Sequence, residues 1–593
     1  MITIRTIVYS TFITLVPTFF PKVALSQGVP SVKPNIVIIL ADDMGWGDVA
    51  LNGNPYNIAT PNMEKIANQG ARFDRFFVSP LCAPTRASLL TGRYHLRTGV
   101  ANVTGGLETM RTEEVTFGEI FKGAGYATGL FGKWHNGAHY PQDPNGQGFD
   151  EFFGFCGGHW TNYYDTHLQH NGKAVQTKGY ITDVLTDAAL GFIEKNKARP
   201  FLCYIPYNAP HGPFQVGDKY FAKFRSKGIN ERDAAIYGMV ENLDDNIGRV
   251  LQKLDELNLS KGTIVIFLTD NGPNSNRYNG EMRGKKGAVD EGGVRVPFFI
   301  RWPGKIKEQT VIKQLAAHID VLPTLVELTG IAKPQTLPLD GQSLLPLLQG
   351  KPVGWAERNI YTHVLKDTDK AIKPFPGAVR TPQYRYIRGN ESDELYDMVS
   401  DPGQKTNIAS DRQTVVSTFR DQYDKWFAEV TLKKIYPEIT EVGYKQAPIT
   451  ELFAPDAAKK GSIKYFAKNG FAHDWFTGWQ QDADSAIWNI EVVEDGNFEI
   501  QLKYNCTESF LGSVLQVNID GEKTQMNVQV PFTGKVYPSP DRVTRIEAYE
   551  KDWAMLDMGT LHLSKGRHNV VVRKGAGNPT SPFELKSVLI QKL

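Results

Sequence analysis

Two uninterrupted apolar runs, Asn35 to Leu40 and Thr263 to Leu268, are rich in isoleucine, valine and other β-formers and show no polar alternation. That pattern predicts strands buried on both faces of a parallel sheet. A short strand is expected at Thr128 to Phe131, and a further apolar run covers Phe201 to Ile205. Apolar residues at helical spacing across Asn57 to Arg72, Thr116 to Gly125 and Asp233 to Leu254 predict helices that cover such a sheet. After His363 the texture changes. Ala378 to Arg388 alternates, Glu394 to Asp397 follows a turn, and Asp411 to Lys434 is helical, which predicts a small antiparallel sheet with a terminal helix, completing one wall of a cleft. Beyond about Pro448 come seven short alternating runs: Ala486 to Val493, Asn497 to Tyr504, Val514 to Ile519, Gln525 to Val530, Thr560 to Leu563, His568 to Val572 and Phe583 to Gln591. Turns such as Asp495-Gly496 and Asp520-Gly521 separate them, as expected of a β-sandwich. Its texture is similar to that of carbohydrate-binding modules. Independent sugar binding and packing against the preceding part of the chain are both open.

The two apolar strands end in acids, one in Asp42-Asp43 and the other in Asp270-Asn271. Ligands of open α/β sheets collect beyond the carboxyl ends of the strands, so the two tips are expected in one crevice. Four hard oxygen donors there call for a hard cation, with Ca²⁺ favoured over Mg²⁺ where the protein supplies most of the ligands. The alternative for either pair alone is a helix cap or turn.

Between these tips lies Leu81-Cys82-Ala83-Pro84-Thr85-Arg86, followed by Ala87-Ser88-Leu89-Leu90-Thr91-Gly92-Arg93. Pro84 suits a first helical turn and Gly92 a stop, which places Cys82 at a helix N-terminus where the backbone favours an anion. The plainer reading of such a cysteine is a small buried hydrophobe. Three further segments bring basic groups: Gly132-Lys133-Trp134-His135, Asn208-Ala209-Pro210-His211-Gly212-Pro213, and Arg283-Gly284-Lys285-Lys286-Gly287 ahead of Glu291-Gly292-Gly293-Val294-Arg295-Val296-Pro297. Loop lysines and histidines of this kind also occur as solvated charges or structural groups.

Together, C-x-P-x-R with its downstream T-G-R, N-I-V-x-I-x-A-D-D, T-D-N-G, G-K-W-H, A-P-H and R-G-x-K-G-x-x-x-E-G-G-x-R-V-P closely resemble the motifs of the type I sulfatases, the formylglycine-dependent branch of the alkaline phosphatase superfamily. The resemblance runs from about Lys33 to Ile408. It implies an α/β fold with an alkaline-phosphatase-like mixed sheet flanked by helices and a small α+β subdomain, to which the β-sandwich is appended. The limits expected are 1–26 for a signal peptide, 27–358 for the catalytic domain, 359–446 for the small subdomain and 447–593 for the sandwich. The resemblance further implies that Cys82 is oxidised to formylglycine (3-oxoalanine) by a formylglycine-generating or anaerobic sulfatase-maturating enzyme, and that its hydrate is the nucleophile. Asp42, Asp43, Asp270 and Asn271, with residue 82, would bind one Ca²⁺. Lys133 and Lys286 would bind sulfate oxygens, Arg86 would hold the hydrate, His135 would act on it and help release sulfate, and His211 would protonate the leaving alcohol. Lys285 competes with Lys286 for its place, because glycine is common in the family at the position Lys285 fills.

Segment 149–170 is rich in aromatic residues and histidines and either lines a sugar cleft or packs internally, which makes His159 and His167 substrate-binding candidates. Residues 1 to 26 carry Arg5, an apolar run from Ile7 to Phe20 and Ala24-Leu25-Ser26, the pattern of a secretory signal. An N-terminal anchor is the alternative. Its removal with Arg5 and Lys22 takes the formal charge from +2 to zero, so nothing points to nucleic acid or a membrane surface, and no span is expected after cleavage. With Cys82 converted, Cys156, Cys203 and Cys506 form an odd set in which a Cys156–Cys203 disulfide is possible. The expected protein is an exported bacterial sulfatase, periplasmic or secreted, that acts on a sulfated polysaccharide or its oligosaccharides, such as ulvan, carrageenan, glycosaminoglycan or mucin glycans. The alternatives are a phosphomonoester or phosphodiester hydrolase of the same superfamily and a catalytically silent carbohydrate-binding protein.

Overall fold

Side chains of a strand alternate between two faces, and in Asn35–Ala41 both sets are apolar: Val37, Ile39 and Ala41 enter one core, Ile36, Ile38 and Leu40 another. A strand of this kind is stable only with a layer on each side. The computed structural model, which describes residues 33–593 apart from 333, 352–354, 366–370, 468, 469, 472 and 576–581, shows that arrangement. The expected leader lies outside the described residues.

Asn35–Ala41 sits near the middle of a ten-stranded mixed sheet, paired in parallel with Phe201–Pro206 on one side and Thr263–Thr269 on the other. Beyond Phe201–Pro206 come Ala127–Lys133, Glu151–Phe155 and the antiparallel strands His167–His170 and Lys173–Gln176. Beyond Thr263–Thr269 come Phe298–Arg301, Ala71–Phe73 and Thr310–Ile312. Helices Pro61–Asn68, Ile181–Asn196 and Glu231–Glu256 cover one face, and Cys82–Thr91, Phe117–Gly123 and Val321–Thr329 the other. The first of these is shorter than its apolar spacing suggests, because Pro61 fixes its start and residues 71–73 join the sheet as a strand. All four cysteines are free. Cys203 packs in one core and Cys156 in the other, on opposite faces of the sheet, so the Cys156–Cys203 disulfide considered above does not form.

Ile360–His363, Gly377–Arg380, Tyr384–Arg388 and Glu394–Asp397 form an antiparallel sheet, backed by the helix Gln413–Val430. One carboxylate ties this sheet to the rest. Glu291, buried at the start of the E-G-G segment, lies 2.7 Å from Arg385 Nη2 and 3.0 Å from Arg380 Nε, with Arg295 at 3.7 Å. Burial alone would raise its pKa, but Arg380, Arg385 and Arg295 outweigh burial and hold it at about 2.

From Thr440 onward the chain builds two six-stranded sheets that share one core. Ser485–Val492, Gly566–Lys574 and Val514–Ile519 form the centre of one, and in the other Phe583–Lys592 and Gly496–Cys506 pair at the centre with Ala554–Leu563 on the edge beyond Gly496–Cys506. Trp488, Ile490 and Val572 meet Phe498, Leu502 and Val588 between them. The run expected at Gln525 to Val530 is instead the strand Glu522–Asn527, which starts directly after the Asp520-Gly521 turn. Thr440–Val442, Ile449–Phe453, Ala458–Lys460, Lys464–Tyr465 and Phe476–Thr477 also pair into these sheets, and runs this short carry little period-two signal.

Removing the charge of Glu291 leaves buried guanidinium groups uncompensated, so Glu291→Gln should lower the unfolding free energy in urea at pH 7 by about 3–5 kcal/mol. The folded pKa is depressed, so the contribution is present above the ordinary carboxylate range and lost as pH falls through that range toward about 2. The gap between wild type and variant should narrow correspondingly in acid. A loss below about 1 kcal/mol at pH 7 would mean that the cluster is not a structural tie.

Candidate functional site

The register that pairs Ala41 with Thr269 brings Asp42-Asp43 and Asp270-Asn271 side by side, and the backbone N–H of Asp270 donates to the Ala41 carbonyl at 3.1 Å. All four side chains are buried. Asp43 has φ 64°, in the left-handed region that short polar side chains tolerate best, and its N–H donates to Asp270 Oδ1 at 3.2 Å. From the facing loop Arg277 Nη2 donates to the Asp43 carbonyl at 2.7 Å and, together with Nε, grips Asp48, so the turn is braced from outside.

Cations of this chain converge on the same carboxylates. Arg86 Nη2 lies 2.8 Å from Asp270 Oδ2 and 3.2 Å from Asp42 Oδ2, and Arg86 Nη1 donates to the Lys133 carbonyl at 2.7 Å. Lys133 Nζ is 2.5 Å from Asp42 Oδ2, and Lys286 Nζ is 2.6 Å from Asp43 Oδ1. Lys285 is exposed, so the geometry places Lys286, and not its neighbour, against the acids. Burial would raise Asp42 and Asp43, but Lys133 beside the first and Lys286 beside the second, with His211 near both, hold the two carboxyls below the usual range. Asp270 goes the other way, to about 6, because burial and the Asp42 charge together outweigh Arg86 and Lys133.

Cys82 is the first residue of the helix Cys82–Thr91, which ends at Gly92 in the left-handed conformation, where the Gly92 N–H reaches the Ser88 carbonyl. Its sulfur and a carboxylate oxygen each of Asp42 and Asp270 lie within 4.8 Å of one another. Burial pushes its thiol up, against the pull of Lys133 and Lys286. The strand that presents Lys133 can approach Phe201–Pro206 because residue 132 is glycine: with φ 143°, a Cβ there would stand 2.0 Å from the Pro206 carbonyl oxygen. His135, at φ 66°, turns out of this strand, and its Nε2 lies 3.0 Å from the Val103 carbonyl. Burial first, and then Lys133, press its pKa well down.

His211 Nε2 lies 3.7 Å from Asp43 Oδ2, and its Nδ1 is 2.7 Å from the Gly212 carbonyl. A carbonyl only accepts, so Nδ1 carries a proton and Nε2 is the nitrogen that titrates. Burial lowers its pKa more than Asp43 raises it. His159 stands beside it, with ring centroids 5.4 Å apart. His167 is two strands beyond Ala127–Lys133, its Nδ1 2.8 Å from Glu550 Oε1 and its ring against Tyr537. The aromatic segment around these histidines divides its roles: Phe152, Phe155 and Tyr163 are core, while Trp160 stacks on Phe155 and meets His473 edge-on.

Several buried polar atoms here have no hydrogen-bond partner among the described residues: Asp42 Oδ1, Asn271 Oδ1, His135 Nδ1 and both amide atoms of Asn208. Two orphaned oxygens amid three carboxylates, one of them with a raised pKa, form a site that a hard divalent ion fits. Asn208 stands in the N-A-P-H segment, yet only its burial without partners marks it. Arg277 and Asp48 are 229 residues apart, and no local pattern connects them.

This sheet, with a buried acidic crevice at the carboxyl ends of its central strands and a cysteine at a helix start beside it, defines a hydrolase of the alkaline phosphatase superfamily. Residues 34–331 match the family described as Sulfatase, and residues 285–427 match that described as N-sulphoglucosamine sulphohydrolase, C-terminal. The N-acetylgalactosamine-6-sulfatase of Mus musculus is 35% identical over 367 residues, covering 55% of this chain and 68% of the relative. An uncharacterized sulfatase, YdeN, of Escherichia coli strain K12 is 28% identical, covering 68% of this chain and 88% of the relative. The solved structure of Ps i-CgsB in complex with k-i-k-neocarrahexaose superposes with a TM-score of 0.63 at 29% identity, over 68% of this chain and 95% of that one. The chain belongs to the sulfatase family, as a type I sulfatase and thus a sulfuric ester hydrolase.

Ca²⁺ or Mg²⁺, added to chelator-treated protein, should raise the thermal unfolding midpoint, with a stabilisation of about 2.7 kcal/mol at a hundred times the dissociation constant. Asp43→Asn should weaken that binding by about tenfold or more, since it removes a charged ligand from an anionic set. An unchanged midpoint on metal addition, or equal binding by the variant, would contradict the assignment of these oxygens as ligands.

Proposed function

We propose that this sulfatase is exported and hydrolyses sulfate esters of a sulfated polysaccharide or its oligosaccharides, with Cys82 converted to formylglycine and Ca²⁺ held by Asp42, Asp43, Asp270 and Asn271. The observation that carries the reading is the placement of Cys82 at a helix start, with its sulfur within reach of Asp42 and Asp270. When present, the aldehyde hydrate supplies the attacking oxygen, and the ion lowers its pKa and draws charge from the sulfate.

The chain's own residues account for the rest. Arg86 fixes Asp42 and Asp270 relative to the helix that carries residue 82. Lys133 and Lys286 bring positive charge beside Asp42 and Asp43, where they bind the peripheral sulfate oxygens on which charge grows as the S–O bond breaks. His211 offers Nε2 as the nitrogen that passes a proton to the departing alkoxide, and His135, whose Nδ1 has no partner among the described residues, accepts a proton. A saccharide substrate is supported by relatives named for N-acetylgalactosamine 6-sulfate and bound to a neocarrahexaose. Among the described residues no helix is long and apolar enough to cross a membrane, and the case for export rests on residues 1–26.

Sulfate release across a panel of defined sulfated oligosaccharides, with matched phosphate esters and 4-nitrophenyl sulfate as controls, tests the reading. At least one saccharide should exceed the aryl sulfate in kcat/KM. Turnover confined to aryl sulfate or to phosphate esters would overturn it.

An unactivated sugar alkoxide leaves poorly without a proton, whereas an activated phenolate does not need one. His211→Ala should therefore cut saccharide turnover by roughly 10²- to 10⁴-fold and nitrophenyl sulfate turnover far less. Lys133→Ala should impair both. Equal losses on the two substrates for His211→Ala, on folded protein with the same Cys82 conversion, would assign the leaving-group proton to another residue.

A further inference from the structure

Between Glu522–Asn527 and Ala554–Leu563 the chain leaves the C-terminal sheets and lies against the loop that carries His211. The docking is specific. The Arg542 N–H donates to the Phe214 carbonyl at 2.9 Å, and its guanidinium donates to the Val216 carbonyl at 2.8 Å. Gln215, fully buried, donates to Asp541 Oδ1 at 2.8 Å and accepts from the Tyr163 N–H at 2.8 Å, so one side chain ties this segment to the aromatic stretch. Arg545 reaches the Thr161 carbonyl.

The segment so held presents Glu547. Its Oε1 lies 3.9 Å from His159 Nε2, a buried nitrogen with no hydrogen-bond partner among the described residues, and His159 stands beside His211. At that separation the two are not hydrogen-bonded to each other. A single hydroxyl can satisfy both, donating to the carboxylate and accepting from the imidazole N–H. A second anion in the same place would face a partly buried carboxylate, an unfavourable juxtaposition in a medium that screens poorly.

We infer that Glu547 and His159 form the subsite that reads the leaving-group sugar, taking a ring with a free hydroxyl next to the sulfate ester and rejecting one that carries a second anionic group there. The inference rests on the saccharide reading above. The residue comes from outside both family matches, the later of which ends at residue 427, so the segment between Glu522–Asn527 and Ala554–Leu563 supplies part of the substrate pocket.

The test uses the full-length, matured enzyme and whichever monosulfated sugar of the panel it desulfates fastest, beginning with N-acetylgalactosamine 6-sulfate, whose nearest free hydroxyl is on C4, together with the analogue that lacks that nearest hydroxyl (here the 4-deoxy sugar) and the disulfate that carries a second sulfate on it (here the 4,6-disulfate). Glu547→Ala should lower kcat/KM on the monosulfated sugar by about tenfold or more, chiefly through KM, because a polar site built for a hydroxyl discriminates strongly against its loss. Wild type should lose a similar factor on the deoxy analogue, and the substitution should then add little. Glu547→Gln, which keeps the shape and removes the charge, should improve the disulfate relative to the monosulfate. The ratios among probes are what is read, so a partly misfolded preparation, which scales all of them together, is recognised as such by an active-site titration of the aldehyde. Ratios unchanged by either substitution would overturn the subsite assignment while leaving the saccharide reading intact. Absence of sulfate release from every saccharide by wild type would overturn both.

Discussion

Three carboxylates buried within one crevice are the constraint on which the rest of this structure depends. Unpaired, they would not stay ionised in a low-dielectric site, and the protein answers with Arg86, Lys133 and Lys286 at 2.5 to 3.2 Å. Each cation arrives from a different part of the fold: the helix that starts at Cys82, the end of the strand Ala127–Lys133, and the loop before Glu291. The Cys82 helix must therefore lie where it does for the acids to be tolerated, and the reactive position is fixed as a consequence. The balance is incomplete at Asp270, whose raised pKa, with the partnerless oxygens of Asp42 and Asn271, leaves room for one more positive charge.

Backbone geometry carries part of the same task. Asp43 and His135 both sit at positive φ, and Gly132 permits a strand approach that no side chain would allow. Non-glycine residues in that region are unfavourable by a kcal/mol or more and persist where the surroundings over-determine them. Here the Arg277 bond to the Asp43 carbonyl and the packing of Trp134 beside His135 do so. The Glu291 cluster secures the loop that carries Lys286 to the four-stranded sheet, so the position of one sulfate-binding candidate depends on residues almost a hundred positions further along the chain.

What the sequence makes legible follows from how local the cause is. The strands that end in Asp42 and Asp270 announce themselves by unbroken apolar runs, and the helix at Cys82 by Pro84 and Gly92, whereas the gathering of Arg86, Lys133, His211 and Lys286 around them is implied by the resemblance of their motifs to those of type I sulfatases and by no local pattern. The choice between Lys286 and Lys285 is not legible, because it depends on which way a glycine-flanked loop turns. Strands of two or three residues such as Lys464–Tyr465 are invisible for want of a period to detect. The brace of Arg277 on Asp48 and the placement of Glu547 beside His159 join residues hundreds of positions apart, and only tertiary packing creates them. His167 carried the same local signal as His159, yet the fold sets it against Glu550, four strands from the one that ends in Asp42-Asp43.

Turnover at this site depends above all on the chemistry of residue 82. Preparations matured to different extents, with the aldehyde content of the Cys82 peptide measured by mass and sulfate release measured on the same samples, test it most directly. Turnover per molecule should rise in proportion to the aldehyde fraction and extrapolate to near zero for the pure thiol. Full turnover by protein whose Cys82 remains a thiol would contradict the central claim.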